Sequence, residues 1–132
     1  MRIYKFRAWD KTNKVMIKNY DDWFGRNMVI AYDGSVRMIT TTGDIWMRTD
    51  MELMQFTGLL DKAGVEIYEG DLVKNDHNVI SKIIWFNELG CWGYTCDDKV
   101  IAAFSSVIME GGQYENEKME VIGNVFEDKE LL

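Results

Sequence analysis

Cys91, Cys96 and the single His77 are the side chains of this 132-residue chain whose types best suit metal binding or nucleophilic chemistry. A structural zinc site takes about four Cys or His ligands in paired short spacings, and these three are all the chain has. Cys91 and Cys96 are separated by an odd number of positions, which puts them on opposite faces of one strand. Fully extended they would stand roughly 16 Å apart, beyond disulfide reach, so two free thiols are expected. His77 lies between Asp76 and Asn78 and reads as a surface-turn histidine rather than a general base. A Cys or Ser nucleophile needs such a base beside it. The expectation is therefore a chain with no catalytic residue, no bound metal and no cofactor: not an enzyme.

Two carboxylates merit the same weighing. On a strand, Glu69 and Asp71 would share a face about 7 Å apart, within the separation of an inverting glycosidase pair. Asp71 follows Gly70, however, and an Asp at such a step commonly accepts hydrogen bonds from the turn it belongs to. The structural role is the expectation. Gly111-Gly112 lies in an acidic stretch with no G-x-x-x-x-G-K-[ST] run, so no phosphate loop is present.

The N-terminus offers a different chemistry. Residues 1–26 hold seven Lys/Arg against three Asp/Glu, interleaved with Tyr4, Phe6, Trp9, Tyr20, Trp23 and Phe24. A strand face bearing Lys5, Arg7 and Trp9 suits stacking of a base and neutralisation of phosphates, as in a weak single-stranded nucleic-acid binder. The competing reading is a solvated sheet face whose Trp9 covers the edge of the core. A net charge of −7 favours the latter, because the chain as a whole repels polyanions. Lys5, Arg7 and Trp9 remain the candidate interaction surface.

The elements that would carry these residues read mainly as strands. Aromatic residues make up 13% of the chain and there is no Pro, a composition that favours sheet and leaves no rigid linker. Residues 2–9 alternate, residues 10–14 form a polar turn, and residues 15–17 return as the second strand of a hairpin. Asp33-Gly34 and Gly43-Asp44 are turn signals between short apolar runs, while residues 19–27 show no clear period. Residues 51–57 read as a strand or a short irregular element, followed by the turn Asp61-Lys62-Ala63-Gly64 and a strand at 66–68. Five further strands are expected at 72–74, 79–86, 91–96, 101–109 and 119–126, the strand count of a small, partly open barrel. Residues 110–118 read as a loop.

Charge is uneven along the chain. Through Gly58, nine Lys/Arg face seven Asp/Glu; from Leu59 on, six face fifteen. An acidic C-terminal part is unsuited to phosphate-backbone binding, and unlike halves suit head-to-tail self-association. No signal peptide or run of about 18 apolar residues appears, so a cytoplasmic location with no membrane contact is expected.

Three stretches carry a family resemblance. The first is Lys5-Phe6-Arg7-Ala8-Trp9-Asp10 with Met16-Ile17. The second runs from Leu53-Met54-Gln55-Phe56-Thr57-Gly58-Leu59 through Asp61 and Gly64 to Ile67-Tyr68-Glu69-Gly70-Asp71-Leu72-Val73. The third is Val121-Ile122-Gly123-Asn124-Val125-Phe126-Glu127, closing at Leu131-Leu132. In this order they resemble the YopX family over nearly the whole chain. Asp128-Lys129 departs from the Asn-Pro common there, so the last turn is not carried over, nor is anything at residues 22–50. The resemblance implies a phage or prophage origin in low-GC Gram-positive bacteria and transfers no catalytic or ligand residue.

Together these readings predict a mainly β protein. An irregular N-terminal β-meander, residues 1–58, is expected to pack against an SH3-like small barrel within residues 59–132. The expected core is Phe6, Phe56, Ile67, Val73, Ile84, Trp85, Phe104, Val121, Ile122 and Phe126. The expected function is that of a non-enzymatic accessory protein of a phage or prophage, binding copies of itself or another phage or host protein in the bacterial cytoplasm. The alternative is nucleic-acid binding through Lys5, Arg7 and Trp9.

Overall fold

The structure is a computed structural model that describes residues 3–18, 27–30, 32–33, 35–39, 45–47, 51–96, 99–104 and 115–132. The fold is mainly β, and among the described residues the only helical turns are two short 3-10 segments, Glu115–Lys118 and Lys129–Leu131. The chain forms two compact units, Ile3–Gln55 and Phe56–Leu132, divided within one long strand. The division expected from the sequence lies at Gly58, within the same strand.

In the N-terminal unit, β1 (Phe6–Asp10) pairs antiparallel with β2 (Val15–Lys18). Asp10 builds the turn between them: its carboxylate accepts the backbone N–H groups of Thr12 and Asn13, both at 3.0 Å. Lys14 then takes φ 55°, as the reversal demands. On its other edge β1 pairs with the first half of β6 (Met51–Leu60), from Phe6 opposite Gln55 to Asp10 opposite Met51. A second antiparallel sheet holds β3 (Asn27–Ile30), β4 (Val36–Ile39) and β5 (Ile45–Met47) in that order. Ala8 and Val36 form the buried centre, with Phe6, Ile17, Met51 and Leu53 packed around them. The aperiodic piece with Trp23, the expected turn at Gly43-Asp44 and Gly34 of the Asp33-Gly34 signal lie outside the described residues.

In the C-terminal unit, the second half of β6 pairs with β7 (Glu66–Tyr68) across the predicted turn at Asp61. A bulge containing Gly58, φ +87°, lies in this pairing, and Gly64 at φ +81° ends the turn. Then follow β8 (Asp71–Lys74), β9 (Ile80–Phe86), β10 (Cys91–Cys96), β11 (Lys99–Ala103) and β12 (Glu120–Asn124). They form one antiparallel sheet in the order β11-β10-β9-β8-β12, curled into a half-barrel. The meander β8 to β11 is thus completed by a last strand that returns beside its first.

The core of this unit is Ile67, Val73, Ile83 and Met119, with Leu59, Tyr94, Phe104 and Val121 packed against it. Of the expected core residues here, Phe56, Ile67 and Val73 are buried, while Phe104, Val121, Ile122 and Phe126 are half-buried. Two need correction. In β9 the fully buried position is Ile83 rather than Ile84, and Trp85 is 37% exposed. The expected loop at 110–118 is also corrected at its end, where residues 115–118 make a 3-10 turn.

Candidate functional site

Lys5, Arg7 and Trp9 do not form the open face that stacking requires. β1 is flanked by a strand on each edge, and its side chains are covered on both faces: Arg7 is 8% exposed, Ala8 0%, Trp9 8% and Asp10 2%. Lys5, just before the strand, is half-buried. The expectation of a solvated face is corrected for Arg7, which is buried, while Trp9, expected to cover the edge of the core, is itself a core residue. Sequence alternation could not show this, because the strand that covers β1's second edge comes from more than forty residues downstream.

The acidic and amide side chains capable of chemistry are engaged in turns. Asp71 is 1% exposed, and its carboxylate accepts the Tyr68 N–H at 2.7 Å. Gly70 before it takes φ +81°, a conformation that favours glycine; its N–H reaches the Ile83 carbonyl at 2.9 Å. Glu69 is half-buried in this turn. His77 is exposed in the β8–β9 turn, where Asn75 Oδ1 accepts the N–H groups of His77 at 2.9 Å and Val79 at 3.0 Å. Cys91 and Cys96 stand half-buried at the two ends of β10.

Asp61 is the most heavily engaged carboxylate. It is 5% exposed, and Oδ1 accepts the N–H of Ala63 at 2.8 Å and of Val65 at 2.9 Å, while Oδ2 accepts that of Val121 at 2.9 Å. Burial alone would raise its pKa. The three N–H groups, Val121 foremost, together with the Lys62 charge more than offset this and hold the carboxyl below its ordinary value of 3.8. These contacts organise backbone and leave no carboxylate oxygen aimed at a substrate position.

What the structure brings together instead is an aromatic pair. Trp85 of β9 and Trp92 of β10 stand directly opposite one another in register. Their ring centroids lie 4.9 Å apart with planes at 73°, the edge-to-face arrangement that aromatic quadrupoles favour. The Trp92 indole N–H is buried with no hydrogen-bond acceptor among the described residues, so ring packing rather than a polar contact holds the pair. Trp85 shares its strand face with Ser81 and Ile83, and Trp92 shares its own with Tyr94 and Cys96. Beyond the pair, the β9–β10 turn leaves Glu88 and Leu89 exposed, Leu89 at 66%. An exposed tryptophan braced by a second one is suited to contact with a partner. The sequence signal was available: two Trp flank a four-residue turn symmetrically, the spacing that makes cross-strand partners.

A family model described as YopX protein matches residues 5–132. Among solved structures, the chain is similar to the crystal structure of protein EF1440 from Enterococcus faecalis, with 28% identity and a TM-score of 0.67. That similarity covers 100% of this chain and 99% of the other. No curated protein matches.

Proposed function

This chain belongs to the YopX family, and on that premise we propose that it is a non-enzymatic accessory protein of phage or prophage origin. It acts through protein–protein contact in the bacterial cytoplasm. The observation that carries the reading is the Trp85–Trp92 pair, a preorganised aromatic surface with Trp85 37% exposed. The buried Asp10, Asp61 and Asp71 support it from the other side, since each is engaged by the backbone of its own turn. The C-terminal sheet is further read as a small SH3-like barrel, supported by β12 closing beside β8 after a four-strand meander. Among the described residues no helix is long and apolar enough to cross a membrane.

The test is affinity capture from a bacterium carrying the gene, with wild-type and Trp85→Ala baits compared. A protein retained by the first and lost from the second is expected. Identical capture by both baits, matching that of bare resin, would overturn the reading.

A further inference from the structure

We propose that Asp61 and Asp128 guard the outer edge of β12. Their carboxylates occupy backbone N–H groups that would otherwise pair with β12 of a second copy, so the C-terminal sheet does not grow across that edge. This stands independently of the interaction reading above.

β12 ends the sheet order β11-β10-β9-β8-β12, so one of its edges is spent on β8 and the other is not. An end strand presents N–H and C=O groups that template a further strand. The sequence makes this strand an inviting one, since residues 119–126 are apolar and rich in β-branched side chains, with Glu120 their single charge. Two identical edges can meet antiparallel about a two-fold axis, so a second copy is the partner that a bare β12 edge selects.

The chain closes that edge from both ends. At one end the Val121 N–H donates to Asp61 Oδ2 at 2.9 Å, and the Met119 carbonyl accepts the Lys62 N–H at 2.9 Å. At the other the Asn124 N–H donates to Asp128 Oδ2 at 3.0 Å, and the Asn124 carbonyl accepts the Asp128 N–H at 3.0 Å. Each end thus meets an acceptor and a donor, as it would from a neighbouring strand. Val125, next in the chain, sends its N–H back to the Gly70 carbonyl at 2.9 Å, on the β8 side. Gly123 leaves Asp128 its seat, because a Cβ there would lie under 3.0 Å from that side chain. An incoming strand must displace two charge-assisted hydrogen bonds before it can pair.

The test uses the full chain in sedimentation velocity at neutral pH. Circular dichroism checks the fold, and amide exchange followed by NMR locates the contact. Asp61→Ala/Asp128→Ala is expected to associate more tightly than the wild type by roughly tenfold or more, on the scale of the hydrogen bonds removed. Its Val121 and Asn124 amides should exchange faster than those of the wild type when dilute, and slow again as concentration rises. Asp128→Ala alone frees only the Asn124 end. It stands in if the double variant fails to fold, and the Asn124 amide then carries the readout. A folded variant that associates no more than the wild type, or that associates without protecting these amides, would overturn the proposal. So would a wild type whose Val121 and Asn124 amides gain protection as it associates, since its edge would then already be open.

Discussion

The Asp61 carboxylate accepts the Val121 N–H at 2.9 Å across 60 positions of sequence. It does so while holding its own turn through Ala63 and Val65, so one side chain fixes the β6–β7 turn and clasps it to β12. Two neighbours reinforce the clasp: Lys62 N–H to the Met119 carbonyl at 2.9 Å and Asn116 Nδ2 to the Leu60 carbonyl at 2.7 Å. The half-exposed Lys62–Glu120 pair at 3.4 Å adds little, as surface ion pairs contribute roughly 0–1 kcal/mol. Asp61→Ala leaves three backbone donors without their acceptor, and a loss of about 3 kcal/mol is expected. Urea unfolding measures it; a change under about 0.5 kcal/mol, the level of an ordinary surface substitution, would refute the clasp.

The same group predicts a pH dependence. Because its folded pKa lies below the ordinary 3.8, the stabilisation is fully present above 3.8 and is lost as pH falls through the folded value. Wild type and Asp61→Asn should therefore differ in urea midpoint by a constant amount at neutral pH. The gap should close in the acid range below 3.8. A gap that stayed constant down to the lowest pH measured would rule Asp61 out as its source.

The local chemistry of turns was readable from the chain, and strand parity was not. Asp10, Gly64 and the Gly70-Asp71 step were each identifiable from residue type, because a single residue's φ preference or side-chain acceptor specifies a turn. In Ile80–Phe86 the run Ile83-Ile84-Trp85-Phe86 is apolar at every position, so period-two alternation cannot say which side faces in. Parity is set by pairing: Tyr94 stands opposite Ile83, and both pack into the core with Val73. The burial of Arg7 and Trp9 was hidden for a related reason, since a strand's neighbours on both edges are long-range facts. The Trp85–Trp92 pairing, by contrast, was available in the sequence, because the four-residue turn sets the two positions opposite one another.

Parity in β9 gives a direct comparison. Ile83 is 0% exposed and Ile84 half-buried. Ile83→Ala should cost about 2–5 kcal/mol through lost burial and a residual cavity, and Ile84→Ala about 1 kcal/mol. Denaturant midpoints of the two variants decide the register, and the reverse order would contradict it.

Gly123 in β12 is a position where space, not backbone angle, demands glycine. A Cβ there would lie under 3.0 Å from the Cβ, Cγ and Oδ2 of Asp128. The Asp128 carboxylate accepts the Asn124 N–H at 3.0 Å, and Asn124 Oδ1 in turn accepts those of Phe126 and Glu127, so the clash spreads through the closing turn. Gly123→Ala should destabilise by about 1–3 kcal/mol. Repeated in an Asp128→Gly background it should cost markedly less, and equal costs in the two backgrounds would exclude this contact as the reason.

Trp9 separates a packing role from nucleic-acid recognition. At 8% exposure it is a core residue, with Met16 of β2 and Glu52 of β6 as its register partners. Trp9→Ala should lower stability by about 3 kcal/mol or more, the cost of emptying a large core position. Oligonucleotide binding at low salt should not depend on the ring, because a stacking platform needs an open π-face. Chemical denaturation and a fluorescence-anisotropy titration with single-stranded DNA, run on the same variant, read both quantities. A variant that kept wild-type stability yet lost salt-dependent DNA binding would restore Lys5, Arg7 and Trp9 as a nucleic-acid surface.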